Sequence, residues 1–424
     1  MSRKTEQSLF FDKSLFQKNS LKQDGERAAG RPDMTFFIFA FVCSGLATAL
    51  IVYSSSCHGR FTADHDLTGV QKSHSTPVPR IGGLGIFVAL WCGAVALLYC
   101  ASPHVNFYLS LMAPCSLVFS IGLWEDVTKR VSVKTRLIAT MLAALIGCLM
   151  IQATIRTLGI PPLDVLLRIN VVALVFTIVA VGGVANAINL IDGFNGLAGC
   201  VSIMALAALA TISYIVDDQT LFLTVLICSG AVTGFLAWNY PRAHIFLGDG
   251  GAYLVGFVIA EISVLLHERH ADVPAVFPLL VMIYPVFETV FTIYRRKFVR
   301  GRSPGAPDAL HLHQLINKRV VRWRVRSNQG SIRSRGNAMT SPYLWALNSL
   351  AIIPAIVFWD NAAALVACVF LFIVTYTWIY RRIVRFRTPK WLLLPHLARP
   401  GKPSHIDFFD QSHDLVDSNV DKAA

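Results

Sequence analysis

Long apolar runs alternate with short polar segments from residue 34 to residue 380 of this 424-residue chain. Each run is long enough to cross roughly 30 Å of hydrocarbon as a helix. The pattern predicts an all-α, polytopic integral membrane protein with about eleven transmembrane helices. The predicted spans are 34–56, 83–101, 106–124, 137–155, 169–187, 197–216, 220–238, 252–267, 275–294, 342–359 and 362–380.

Composition supports a membrane protein whose hydrophobic central part lies between two terminal tails. The chain is 54% hydrophobic and only 15% charged, which argues against a soluble domain. Residues 1–33 are polar, and we expect either a tail with little order or an over-called start of translation. The transmembrane domain then covers 34–380, and 381–424 form a C-terminal tail. The nine cysteines are scattered without a Cys-x-x-Cys pair, which indicates small apolar side chains and not a disulfide framework or a zinc site.

Lysine and arginine are distributed unequally between the two sets of alternate loops. One set, taken with the C-terminal tail, contains 28 of them, and the other set contains three. Short loops rich in these residues stay in the cytoplasm, so the rich set is predicted to be cytoplasmic and the N-terminus to lie outside. The seven basic residues of the N-terminal tail argue mildly against this orientation. All polar, glycine-rich loops belong to the cytoplasmic set, whereas a transporter would more often place ionisable groups near the bilayer midplane.

The loop at 186–199 is the most unusual of this set, because amides, one acid and glycines stand between two apolar runs. Asn186, Asn189, Asp192 and Asn195 are interleaved with three glycines. Glycine lets a backbone approach a ligand closely, and an acid beside amides suits a hydrated divalent cation with phosphate ligands. The same residue types dominate ordinary turns, so a plain turn between two helices is an equal alternative.

Two further loops of this face carry acids. Asp249 stands among glycines at the predicted start of a span, where backbone N–H groups and the helix dipole favour an anion. Glu125 and Asp126 end another span, and adjacent carboxylates beside cations suit phosphate chemistry. The cations that follow them are Lys129, Arg130, Lys134 and Arg136. The ordinary alternatives are an N-cap aspartate and a solvated helix end.

Basic and histidine side chains complete the set. Lys72 and Arg80 belong to an extended, proline-containing loop, and they supply charge for a phosphate or for anionic lipid. His311 and His313 alternate, so they would face one way on an extended segment. No third ligand stands at zinc spacing, which favours hydrogen bonding to a base, sugar or phosphate. The arginine-rich stretch at 319–335 is predicted to be solvated and lipid-facing. No Walker A, Gly-x-Gly-x-x-Gly or His-Glu-x-x-His pattern occurs, so a P-loop and a Rossmann site are unsupported.

Taken in order, these motifs resemble those of the polyprenyl-phosphate N-acetylhexosamine-1-phosphate transferases. The matching segments are Pro-Arg-Ile-Gly-Gly at 79–83, an acidic pair at 125–126, Asn-x-x-Asn-Leu-Ile-Asp-Gly at 186–193, Phe-Leu-Gly-Asp at 246–249 and Pro-Asp-x-x-His-x-His at 307–313. The resemblance is greater to the branch that starts O-antigen, common-antigen and teichoic-acid chains than to the peptidoglycan branch. Three positions depart from the family pattern: Glu125 replaces an aspartate, Asn195 a second acid and Gln314 a last histidine. These departures bear on nucleotide and sugar selection more than on the reaction class.

The resemblance implies a role for each matched residue. Asp249 and Asp192 would hold Mg²⁺, with Mn²⁺ as an alternative. Glu125, Asp126 and Asp192 would be catalytic, and one acid of the pair would be the candidate base near the lipid phosphate. The implied substrate-binding residues are Lys72, Arg80, Lys134, Asn186, Asn189, Asn195, His311 and His313.

The implied reaction transfers an N-acetylated sugar-1-phosphate from a UDP-sugar to undecaprenyl phosphate and releases UMP. It would take place on the cytoplasmic face of a bacterial inner membrane and start a lipid-linked cell-envelope glycan such as the O-antigen of lipopolysaccharide. The expected partners are both substrates and membrane lipid, without nucleic acid, and a homodimer is left open. Two alternatives also stay open: a phospho-N-acetylmuramoyl-pentapeptide transferase, and a multi-pass transporter of an anionic or lipid-linked solute, which would release no UMP.

Overall fold

The computed structural model describes residues 34–64, 78–301, 310–321 and 330–386, and these are almost entirely helical. Two short strands, β1 (Ala63–Asp64) and β2 (Val78–Pro79), pair antiparallel. The helices are α1 (Thr35–Tyr53), α2 (Ser55–Thr62), α3 (Gly83–Tyr99), α4 (Val105–Thr128), α5 (Val133–Met150), α6 (Pro161–Leu167), α7 (Asn170–Ile191), α8 (Leu197–Ile215), α9 (Gln219–Asn239), α10 (Gly248–Arg269), α11 (Val276–Val281), α12 (Ile283–Tyr294), α13 (Leu312–Ile316), α14 (Gly330–Val357) and α15 (Ala362–Val384). Single π-helical turns, Arg295–Val299 and Asn317–Val321, follow α12 and α13.

Each predicted span overlaps helical structure over most of its length, which confirms an all-α multi-pass membrane protein, although the predicted span 137–155 runs past the end of α5 at Met150. Within the described residues, nine helices are long and apolar enough to cross a bilayer. The predicted span 83–101 is α3, an apolar helix of only 17 residues. The predicted span 275–294 is two helices, α11 and α12, that meet at Met282. Pro285 explains the break, because it has no N–H to donate to the carbonyl oxygen four residues earlier.

The polar loops separate to two ends of the helix bundle, as the alternation of spans predicts. At one end, Phe246 N–H donates to the Pro79 carbonyl oxygen at 2.8 Å, and Gly196 N–H donates to Asn239 Oδ1 at 2.7 Å. This end, called here the loop-rich end, contains segments 78–83, 125–136, 189–197, 239–250 and 310–314. These are the segments that the distribution of lysine and arginine predicts to be cytoplasmic.

A second set of contacts ties together the loops of the opposite end. His104 Nδ1 lies 2.8 Å from Thr220 Oγ1, and Arg156 N–H donates to Glu268 Oε1 at 2.7 Å. The loops in these contacts are separate from the segments that form the loop-rich end. The loops that were predicted to share a face therefore do share one.

Helix α10 is the centre of the bundle, and every one of its residues from Gly248 to Leu266 is buried. Its first turn touches the start of α3 through backbone alone. A Cβ on Gly83 would lie 2.3 Å from the Cα of Gly251, so only glycine allows this approach. The contact brings the N-terminus of α10 to the middle of the loop-rich end.

The arginine-rich stretch after α13 differs in part from the prediction. Arg319 is half-buried, and its Nη1 donates to the carbonyl oxygens of Ile383 at 2.9 Å and Val384 at 2.5 Å. Carbonyl oxygens at a helix C-terminus have no partner within the helix, and a basic side chain can supply one. The predicted solvated, lipid-facing arginine is therefore wrong at Arg319, and the side chains of 322–336 lie outside the described residues.

Candidate active site

The site is built around the first turn of α10, which an acid from α4 holds in place. Asp126 Oδ1 accepts the N–H of Asp249 at 2.8 Å, and its Oδ2 accepts the N–H of Gly250 at 2.8 Å. Asp126 is 1% exposed. Because N–H groups of a first helical turn have no partner within the helix, a carboxylate placed there satisfies two of them and favours the dipole. Asp126 thus positions Asp249; its predicted catalytic role stays a prediction.

Gly248 lets the chain enter α10 at this point. Its φ is +75°, in the left-handed region that side chains disfavour. A Cβ on Gly248 would lie 1.8 Å from the carbonyl oxygen of Arg80 and 2.6 Å from Asp126 Oδ2. Glycine at 248 is therefore required by both conformation and space.

Two arginines surround the carboxylate of Asp249. Arg136 forms an ion pair with Asp249 Oδ2, and Arg80 Nη2 lies 3.8 Å from Asp249 Oδ1. The side chains of Arg136 and Asp249 are each only 11% exposed. Arg80 and Lys134 were predicted to bind substrate, whereas Arg136 was named only among the cations of the second loop. Lys134 is exposed and has no contact in the site, because residues two apart on a helix face opposite ways.

Asp192 ends α7 and faces the same turn. Its carboxylate accepts the N–H of Gly248, the residue before Asp249, and it interacts electrostatically with Arg80 and Asp126. Burial raises the pKa of the Asp192 carboxyl to about 7, against the opposite effects of the Arg80 guanidinium and the Gly248 N–H. Asp192 and Asp249 are 57 residues apart in the chain, and both lie at the first turn of α10.

This donor set fits a magnesium ion that keeps part of its water. No group of three or more His, Cys, Asp or Glu side chains in the described part of the chain is arranged as a metal cage. Mg²⁺ in phosphate-transfer sites is commonly held by one or two carboxylates together with substrate phosphates, and it retains several waters. Asp192 and Asp249 are the two carboxylates at this turn that could hold such an ion, with Arg80 and Arg136 beside Asp249.

The predicted amides of α7 lie beside the acids and share a partner that was not predicted. The hydroxyl of Tyr253 donates to Asn186 Oδ1 at 3.0 Å and also forms a hydrogen bond with the side chain of Asn189. The Arg136 guanidinium lies 5.9 Å from the centre of the Tyr253 ring. Tyr253 follows Asp249 by four residues, so it lies on the same face of α10, which is a signal that the sequence does contain.

Asn195 is buried between three segments. Its side-chain Nδ2 donates to the carbonyl oxygen of Pro241 at 3.0 Å, and its backbone N–H donates to Asn337 Oδ1 at 3.1 Å. Ser341 Oγ donates to the Asn195 carbonyl oxygen at 2.6 Å. Asn195 Oδ1 is buried without a hydrogen-bond partner among the described residues. Asn195 therefore ties the α7–α8 junction to α14, with one acceptor left facing inward.

Glu125 makes a local contact beside the site. Its Oε2 accepts the N–H of Val131 at 2.7 Å, which closes the loop after α4, where Lys129 has φ +55°. The predicted catalytic role of Glu125 stays a prediction. Lys72, the other predicted basic residue of the first loop, lies outside the described residues.

His311 and His313 lie together, but not on an extended segment. His311 is extended, with φ −63° and ψ 147°, and α13 begins at the next residue, so the predicted extended segment is wrong. The two rings nevertheless stack, with centroids 5.2 Å apart and planes 6° from parallel. The His313 ring meets the Phe194 ring at 5.5 Å, and a Cβ on Gly193 would lie 3.4 Å from His313 Nε2. The pair therefore reaches the junction that carries Asp192.

Comparison with known proteins shows what this chain is similar to. Residues 108–267 match the model of glycosyl transferase family 4. An undecaprenyl-phosphate α-N-acetylglucosaminyl 1-phosphate transferase of Thermotoga maritima is 27% identical over 255 residues, which cover 60% of this chain and 73% of the relative. These matches confirm the resemblance of the sequence motifs to the polyprenyl-phosphate N-acetylhexosamine-1-phosphate transferases.

Two further relatives support this resemblance. A probable undecaprenyl-phosphate N-acetylglucosaminyl 1-phosphate transferase of Bacillus subtilis is 28% identical over 251 residues, or 58% of this chain and 67% of the relative. A decaprenyl-phosphate N-acetylglucosaminephosphotransferase of Mycolicibacterium smegmatis is 35% identical over 103 residues, or 22% and 25% of the two chains. The candidate site described above includes four of the motifs that carried the resemblance: the segments at 79–83, 125–126, 186–193 and 246–249.

Proposed function

We propose that this transferase moves an N-acetylhexosamine 1-phosphate from a UDP-sugar to undecaprenyl phosphate and releases UMP. An oxygen of the lipid phosphate forms a bond to the sugar-bearing phosphorus of the diphosphate. The bond from that phosphorus to the bridging oxygen breaks, and the bridging oxygen leaves with UMP. The observation that carries the proposal is the convergence of Asp192, Asp249, Arg80 and Arg136 on the first turn of α10.

Charge is the main obstacle to this reaction, because both substrates are anionic phosphates. Phosphoryl transfer depends on positioning and on stabilising charge at the transferred group more than on covalent chemistry by the protein. Arg80 and Arg136 lie where they can bind phosphate oxygens beside Asp249. A magnesium ion bound by Asp192 and Asp249 would supply further positive charge and fix the diphosphate. The metal dependence is part of the proposal.

The side of the membrane follows from the distribution of positive charge. The loop-rich end contains the lysine- and arginine-rich loops, which stay in the cytoplasm in bacterial inner-membrane proteins. A UDP-sugar arrives from the cytosol, and the phosphate of the lipid lies at the membrane surface. A site at the ends of spans is where both can be reached. We therefore assign the reaction to the cytoplasmic face.

The names of the relatives suggest the first sugar to test. All three relatives described above are named for N-acetylglucosamine, so UDP-N-acetylglucosamine is the proposed donor. The product would be a lipid diphosphate sugar, and it would start a lipid-linked cell-surface glycan of the O-antigen, common-antigen or teichoic-acid type. That downstream role rests on the resemblance of the motifs alone.

Purified protein with Mg²⁺, undecaprenyl phosphate and a panel of nucleotide sugars tests this proposal. The panel contains UDP-N-acetylglucosamine, UDP-N-acetylgalactosamine and UDP-N-acetylmuramoyl pentapeptide, and UMP is measured. We expect UMP from an N-acetylhexosamine donor, no UMP in EDTA, and none from Asp249→Ala. Asp272→Ala, an exposed acid of the opposite end, is the matched control and should behave as wild type. Release of UMP only from the pentapeptide donor would move the protein to the peptidoglycan branch, and no release from any donor would refute the proposal.

A further inference from the structure

A buried acid of α12 lies next to the histidine pair and has no place in the mechanism so far. Glu288 is 1% exposed and accepts three hydrogen bonds. Tyr376 donates its hydroxyl to Oε2 at 2.6 Å, while the N–H of Leu312 and the Nδ1 of His311 each lie 3.2 Å from Oε1. The Tyr376 hydroxyl and the Leu312 N–H, one donor at each oxygen, match an ionised carboxylate, which can only accept.

This contact fixes the state of the His311 ring. A carboxylate accepts but does not donate, so the hydrogen of the contact belongs to Nδ1 of His311. The other ring nitrogen, Nε2, is then the one that can act on a ligand. A carboxylate that holds one imidazole nitrogen selects both the tautomer and the rotation of the ring. Glu288 therefore determines which ring nitrogen of His311 carries the hydrogen and how the ring is oriented.

The effect extends from His311 to the acids of the site. The rings of His311 and His313 stack with planes only 6° apart, so the orientation of the His311 ring limits that of the His313 ring. His313 in turn contacts Phe194, two residues after Asp192. A continuous set of contacts thus connects Glu288 to the junction at the centre of the site.

Helix α15 holds the same segment at a second point. Tyr380 donates its hydroxyl to the carbonyl oxygen of Leu310 at 3.3 Å, immediately before His311. Tyr376, one turn earlier on α15, is the donor to Glu288. Residues four apart lie on one face of a helix, so a single face of α15 anchors the backbone before His311 and the carboxylate beside it.

We propose that Glu288 is a positioning residue for the donor substrate: it orients the His311–His313 pair toward the diphosphate of the UDP-sugar. This inference rests on the proposed function. Glu288 touches no substrate and acts through His311. Its loss should therefore weaken use of the UDP-sugar while leaving the lipid phosphate, which approaches from the membrane, bound as before.

Glu288→Gln tests the inference with little change of shape. Glutamine keeps an oxygen for His311 and Leu312, and the Tyr376 hydroxyl can rotate to accept from its amide, so mainly the charge is lost. We expect the KM for UDP-N-acetylglucosamine to rise about 10- to 100-fold, the scale for losing a carboxylate that orients a histidine. The KM for undecaprenyl phosphate should stay within about twofold, and Glu288→Asp should recover part of the loss.

The matched control is Glu261→Gln in α10. Glu261 is equally buried, at 0% exposed, but its two oxygens have no hydrogen-bond partner among the described residues and it makes no contact with the histidines. It should keep both KM values. If Glu288→Gln lowers the thermal midpoint of the protein, Tyr376→Phe removes one donor and keeps the carboxylate, and it should raise only the KM for the UDP-sugar, by about two- to fivefold.

The outcomes separate this inference from the proposed function. Wild-type protein that releases no UMP refutes the function itself. If the wild type releases UMP but Glu288→Gln keeps the wild-type KM for the UDP-sugar, the positioning role alone is overturned. Where Glu288→Gln is destabilised, an unchanged KM in Tyr376→Phe has the same meaning. An equal rise of both KM values would make Glu288 a structural residue and would also overturn it.

Discussion

Gly248→Ala is the sharpest single perturbation of the site. A Cβ there would lie 1.8 Å from the Arg80 carbonyl oxygen, which would have to withdraw by about 1.2 Å to reach 3.0 Å, a distance that Cβ atoms tolerate. The same Cβ would lie 2.6 Å from Asp126 Oδ2, the acceptor of the Gly250 N–H. A displacement of about 1 Å in a catalytic arrangement costs about 100-fold in rate. We therefore expect kcat/KM for UMP release to fall about 100-fold or more, equivalent to about 2.7 kcal/mol.

A control separates this clash from the cost of the backbone conformation. Gly159 has φ +74°, nearly the value of Gly248, and a Cβ on it would meet nothing within 4 Å. Gly159→Ala should therefore cost only the left-handed conformation, about 1–2 kcal/mol of stability, and leave kcat/KM unchanged. UMP release and the thermal midpoint are measured for both variants. Gly248→Ala with activity within threefold of wild type would refute the proposed packing around Asp249.

Three other changes test separate parts of the site. Arg136→Ala should lower kcat/KM by at least about 100-fold, because it removes the ion-pair partner of Asp249 Oδ2 and leaves this buried carboxylate only the more distant Arg80. Lys134→Ala should stay within about threefold, and similar losses in the two variants would contradict the assignment of Arg136. Burial raises the pKa of Asp192 from 3.8 to about 7, so the folded state favours the neutral carboxyl. In EDTA the thermal midpoint of the wild type should therefore fall as pH rises from 4 to 7, and Asp192→Asn should remove the share of that fall that Asp192 causes. An unchanged dependence of the midpoint on pH in Asp192→Asn would contradict the raised pKa. Asn195→Asp replaces the donor to the Pro241 carbonyl oxygen with a second acceptor and should cost about 1–3 kcal/mol of unfolding free energy in urea, so an unchanged midpoint would refute that contact.

Much of the fold could be predicted because it follows from local patterns. Apolar run lengths locate the helices, and the lysine and arginine counts group the loops that do meet at one end. The break at Met282 lies three residues before Pro285, a signal that the sequence contains but that the predicted single span ignored. The π-helical turns and the helical start at Leu312 have no comparable local signal.

The site was predictable in its acids and less so in their partners. Asp192 and Asp249 stand out because glycines and amides surround them in otherwise apolar sequence. Choosing Arg136 over Lys134 requires the rotational phase of α5, which the N-cap at Ser132 sets. The contact between Glu288 and Tyr376 joins residues 88 apart, and it depends on α15 packing against α12, which no periodicity of the sequence specifies.

The central claim is that Asp192 and Asp249 bind one cation together. Mn²⁺ titration followed by electron paramagnetic resonance, in wild type, Asp192→Asn, Asp249→Asn and the double variant, measures this without turnover. If one cation is shared, each single substitution raises the Kd at least about tenfold, and the double variant binds hardly more weakly than the weaker single variant. A single variant with the wild-type Kd, or losses that simply add in the double variant, would contradict the claim.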